Sequence, residues 1–140
     1  MKVLVDTSVW ADFLNGHPSS HAAALAELLA GDAEVCTCGI VVTEVFQGLR
    51  KQPGREAIRR SFGDLTFLEV SGMAVYLRAA EVYRLLRKGG HTVPSTVDCV
   101  IAAIAEANGC SVLARDRDMD AILASGILAT RAWPSPTPGR

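Results

Sequence analysis

Three short apolar segments, KVLV (2–5), AEVCTC (33–38) and SVLA (111–114), read as strands, LTFLEV (65–70) reads as a strand or extended segment, and each is parted from the next by helix-patterned stretches instead of a tight hairpin turn. Strands joined in this way need crossovers, and the crossover helices must cover the sheet. The expected fold class is therefore α/β, a sandwich around a mainly parallel sheet. In such sheets ligands sit beyond the carboxyl ends of the strands. Asp6 directly follows the first segment and Asp116 follows SVLA by two residues, so both fall where a site is expected.

The intervening stretches carry helical signatures. Val9, Trp10, Phe13 and Leu14 recur at helical spacing after Asp6, and residues 20–30 have strong helix propensity up to Gly31. From Gly39 to Lys51, Val42, Val45, Phe46 and Leu49 form one stripe that includes Glu44 in its span, ahead of the breaker Pro53-Gly54. A short basic helix is expected over 55–62, a long one over 73–88 ended by Gly89-Gly90, and a short one near 119–125. The segment STVDCVIAAIAEANG (95–109) is alanine-rich and almost uncharged in its middle, the mark of a helix buried on most sides. One domain over residues 1–132 is expected, with the Pro-rich residues 133–140 as a flexible tail.

Apolar residues make up 49% of the chain, yet no run approaches the ~18 residues that span a bilayer, and no apolar core of secretory-signal length follows Lys2. No membrane association is expected, and the chain reads as cytoplasmic. Cysteines at 36, 38, 99 and 110 match neither a CxxC pair nor a zinc spacing with the three histidines, so buried thiols are the simpler reading. Cys36 and Cys38 share one strand face, which leaves a redox or metal role open. The formal charge of -1 excludes nucleic-acid binding through a uniformly positive surface. Any such binding has to be local.

Each acid has an innocent explanation when taken alone. Asp6 and Asp116 can cap helices, and Ser95 with Asp98 has capping-box spacing. Glu44 is different: its neighbours one turn away are Ile40, Val41, Gln47 and Gly48, so no intrahelical cation serves it. Asp98 is flanked by Pro94, Ser95, Ile101 and Ala102 and reads as inward-facing. Buried carboxylates converging on strand ends repel one another and call for a proton or a cation. Oxygen-only ligands favour Mg²⁺ or Mn²⁺ over zinc.

The run VLVDTSVW, the helical glutamate in TEVFQGLR, the aspartate opening DCVIAAIAEANG and the strand leading into ARDRDMDAI together resemble the PIN-domain family, and within it the VapC-type toxins. The resemblance spans nearly the whole chain, with four acidic blocks in family order. It implies an α/β/α fold with a short parallel sheet and an Mg²⁺- or Mn²⁺-dependent single-strand endoribonuclease site. It also implies a homodimer and a cognate antitoxin whose tail enters the site. By position, Asp6, Glu44, Asp98 and Asp116 match the family's acids, Ser8 matches a supporting hydroxyl residue, and Thr7 is its neighbour. The chain departs from the pattern at Ala114, where a threonine or serine is common. Asp118 competes with Asp116 for the fourth position, while Asp120 is expected to face solvent.

On this reading Asp6 and Asp98 are direct metal ligands, Asp116 is direct or acts through water, and Glu44 orients or deprotonates the attacking water. Cations for a polyanionic substrate are available at Arg50, Lys51, Arg55, Arg59, Arg60, Arg115 and Arg117, with Arg115 the first choice. Competing chemistries lack their marks. An aspartyl phosphatase wants a second acid where Ser8 stands, and no GxGxxG follows the first strand. The remaining alternative is a PIN-like module that binds RNA or protein without cleaving.

Overall fold

The computed structural model describes residues 1–49, 52–91 and 94–133. Arg50, Lys51 and residues 134–140 of the expected tail lie outside the described residues.

The chain runs β1 (Lys2–Val5), α1 (Thr7–Leu14), α2 (Ser20–Ala30), β2 (Glu34–Cys38), α3 (Gly39–Gln47), α4 (Gln52–Gly63), β3 (Thr66–Leu68), α5 (Ala74–Lys88), α6 (Thr96–Ala107), β4 (Ser111–Leu113) and α7 (Arg117–Ala124). The four strands form one sheet in the order β3-β2-β1-β4, and every pairing is parallel. Val3, Leu4 and Val5 are each completely buried although consecutive strand residues face opposite ways, so helices cover both faces of β1. α1 packs on α2 and α3, while α6 packs on α5 and α7. The expected α/β/α class is thus the fold observed.

The winding reverses once. From β1 the chain steps outward to β2 and β3, then returns to place β4 on the free side of β1. The crevice between β1 and β4 is therefore the topological switch point, where open α/β sheets bind ligands. The Asp6 amide donates to Leu113 O at 2.9 Å, which fixes the turn after β1 against the end of β4.

Two expectations shift. The stripe read as continuing to Lys51 gives a helix that ends at Gln47, with Gly48 at its cap. Pro53-Gly54, read as a breaker, instead lies in the first turn of α4. The missing proline N–H is harmless there because the first turn has no intrahelical acceptor for it. α4 is anchored by Phe62, whose ring lies 4.6 Å from Trp10 and 5.3 Å from Phe46 between centroids. No helix among the described residues is long and apolar enough to cross a membrane.

Candidate active site

Asp6 ends β1 and caps α1. Its Oδ2 accepts the Ser8 hydroxyl at 2.6 Å and the Ser8 amide at 3.2 Å. Among the described residues Oδ1 takes no hydrogen bond, so one oxygen is committed to the cap and the other is not. Ser8 does double duty, since its Oγ also accepts the Arg115 amide at 3.0 Å. That bond joins the turns after β1 and β4 beside the methyl side chain of Ala114.

Asp98 enters from α6, where Ser95 caps the helix by accepting the Asp98 amide at 3.1 Å. The capping role and the inward carboxylate coexist: Asp98 is 8% exposed. Asp116 caps α7 by accepting the Asp118 amide at 2.9 Å, so the cap draws Asp118 beside it. Asp98, Asp116 and Asp118 can each present an oxygen within 4.8 Å of the others. Both rivals for the fourth acidic position therefore reach the same space, while Asp120 is exposed as expected. Glu44 comes from α3 and receives the Thr7 hydroxyl on Oε1 at 2.8 Å.

The electrostatics agree with the geometry. Burial raises the Asp6 pKa, the Ser8 bonds oppose the rise, and Asp116 and Glu44 add to it. Burial also pushes Asp98 up to about 6, against the Ser95 hydroxyl and with help from Asp116, Asp6 and Asp118. These carboxylates crowd one another at the strand ends, and no arginine or lysine among the described residues forms an ion pair with them. An all-oxygen set with this charge suits a hard divalent cation. The four cysteines are buried free thiols, and the group of side chains able to hold a metal contains none of them.

The cations are less simply placed. Arg115 lies at the rim, but its guanidinium donates to Asp12 Oδ2 at 2.7 Å. Asp12 went unnoticed at the level of sequence because the pair spans 103 positions. Arg59 pairs with Glu56 on its own helix, and Arg55 donates to Leu49 O. Arg60 and Arg117 are exposed.

A parallel α/β domain with a carboxylate cluster at its switch point is the architecture of a metal-dependent nuclease class. A family model for the PIN domain matches residues 3–123. VapC ribonuclease Mb1587 of Mycobacterium bovis is 31% identical over 121 residues, which cover 86% of this chain and 90% of that protein. Among solved structures, VapBC2 from Rickettsia felis bound to a DNA fragment from their promoter is similar with a TM-score of 0.71 at 20% identity, covering 95% of this chain and 99% of that one. A toxin–antitoxin complex from Klebsiella pneumoniae is similar with a TM-score of 0.66 at 18% identity, covering 83% and 88%. The chain belongs to the PIN-domain family, and its relatives place it with the VapC ribonucleases.

Proposed function

We propose that this chain is an Mg²⁺- or Mn²⁺-dependent endoribonuclease and the toxin of a toxin–antitoxin pair, acting in the cytoplasm through a single domain over residues 1–132. The observation that carries this reading is the approach of the buried Asp6 and Asp98 to the half-buried Asp116 and Asp118 at the β1/β4 crevice, where no cation among the described residues pairs with them. Asp6 and Asp98 are assigned as direct ligands of the ion, with Asp116 direct or through water and Asp118 in support. When bound, the ion lowers the pKa of a water, orients it and neutralises charge on the phosphate oxygens.

The chain's own residues supply the rest. Ser8 fixes the Asp6 carboxylate, Ser95 and Asp116 set the helix starts that aim their neighbours, and Glu44 orients the attacking water or accepts its proton. Arg115 contacts the RNA backbone near the cluster, held in place by Asp12.

The partners follow from the same reading. A cognate antitoxin is supported by the Klebsiella pneumoniae complex. A homodimer is supported by an apolar surface next to the site: exposed Phe67, Tyr76 and Val97 line a cavity of about 600 Å³ that also reaches Glu44. A stable, active monomer would count against the dimer.

The deciding experiment is titration of Mn²⁺ and Mg²⁺ against thermal stability and against cleavage of a panel of structured RNAs. Ion-induced stabilisation with cleavage, both abolished in a folded Asp6→Asn variant, is the expected result. Wild-type activity in Asp6→Asn would sink the assignment, and ion binding with no cleavage of any RNA would favour a non-cleaving module.

A further inference from the structure

Thr7 is the first residue of α1, one step beyond the Asp6 cap, and its hydroxyl donates to Glu44 Oε1 at 2.8 Å across 37 positions of sequence. Among the described residues this is the only hydrogen bond the Glu44 side chain makes, and no cation pairs with it. Glu44 is half-buried between two cavities: one of about 600 Å³ against Phe67 and Tyr76, and one of about 150 Å³ lined by Thr7, Ala11 and Leu14. With open space on both sides, packing alone does not choose the direction of a flexible glutamate. The Thr7 bond does, and it leaves Oε2 free.

We propose that Thr7 is a positioning residue that holds Glu44 in one orientation beside the Asp6 cluster; the inference rests on the ribonuclease reading above and extends it to a residue outside the acidic set. The same first turn then performs two tasks, since its cap presents Asp6 and its next hydroxyl aims Glu44. A single hydrogen bond of this kind is worth about tenfold in rate when it fixes a reacting group. The expected effect is on turnover, because the Thr7 hydroxyl is committed to Glu44.

The test compares wild type, Thr7→Val, Thr7→Ser and Thr7→Ala, using Mn²⁺ and whichever RNA of the panel wild type cuts fastest. Thr7→Val lowers kcat about tenfold, leaves KM and the Mn²⁺ dissociation constant within about twofold, and has no further effect in a Glu44→Gln background, while Thr7→Ser restores the rate. A second readout is independent of cleavage: NMR relaxation of the labelled Glu44 side chain shows an ordered carbon chain in wild type and Thr7→Ser and a mobile one in Thr7→Val. Should Thr7→Val fail to fold, Thr7→Ala gives the same pattern. Unchanged Glu44 order in both variants, or losses that add to those of Glu44→Gln, overturns the proposal. If wild type cuts no RNA, the ribonuclease reading fails and the relaxation data alone decide the positioning.

Discussion

Helix α6 carries one acid at each end, and the two are treated oppositely. Asp98, in the first turn, is buried among other carboxylates and its pKa is pushed up to about 6. Glu106, near the last turn, accepts from Arg78 Nε at 2.9 Å and from the Ala129 amide at 2.8 Å, and the Arg78 bond holds its pKa below the ordinary value. Arg78 also reaches Glu81 and Ile127 O, tying α5, α6 and the segment after α7 together. The helix thus spends one end on holding the domain and leaves the other electrostatically unsatisfied. A site that must receive a cation keeps its charges unneutralised, and that lack of compensation lowers stability.

The sharpest way to break this comparison is to remove each charge in turn. Asp98→Asn should cut metal-dependent RNA cleavage by about 100-fold or more, whereas Glu106→Gln should leave it within about twofold when assayed well below its melting temperature. Equal losses in both variants would show that α6 is only a scaffold.

Stability should move the other way. In ion-free buffer at pH 7, Asp98→Asn should raise unfolding free energy by on the order of 1–3 kcal/mol, and Glu106→Gln should lower it by about 1–2 kcal/mol, both read by denaturant melts. The pH dependence separates the two causes. The folded state holds the Asp98 proton more tightly than the unfolded chain, because the pKa rises from 3.8 to about 6. Its ionisation penalty is therefore absent below about pH 4, grows between about pH 4 and 6, and is complete above that. The advantage of Asp98→Asn over wild type should follow that curve. Glu106 contributes in the opposite sense: its stabilisation is present above the ordinary 4.5 and is lost as pH falls through the lowered pKa. A pH-independent difference for Asp98→Asn would refute the crowding account.

The smallest expected effect concerns the cap. Ser95→Ala removes the acceptor for the Asp98 amide and should cost about 0.5–1 kcal/mol, with a modest loss of activity, since the first turn that aims Asp98 loosens. No change in either property would mean that burial alone positions Asp98.

Much of this was legible in the chain because the signals were local. The apolar run KVLV stopping at Asp6, and the uncharged segment after Asp98, announce a strand end and a buried helix from composition alone. Glu44 stood out because its own helix offered no cation, and the structure supplies a hydroxyl from α1 instead. What stayed hidden depends on the tertiary approach of distant segments. Asp12 meets Arg115 only because β4 lies beside β1, and Asp118 joins Asp98 only because the Asp116 cap folds the chain back on itself. The start of α4 was misread for a local reason, since Pro53 marks a boundary equally well from either side.

The placement of β4 beside β1 has a consequence for synthesis. Asp6 and Glu44 leave the ribosome early, but the strand that brings Asp116 and Asp118 to them comes after residue 110, and it docks in the register Leu4 to Val112. Until that late strand inserts, Asp116 and Asp118 are missing from the acidic cluster. The carboxylate cluster is thus completed only near the end of synthesis, once the rest of the sheet has already been made.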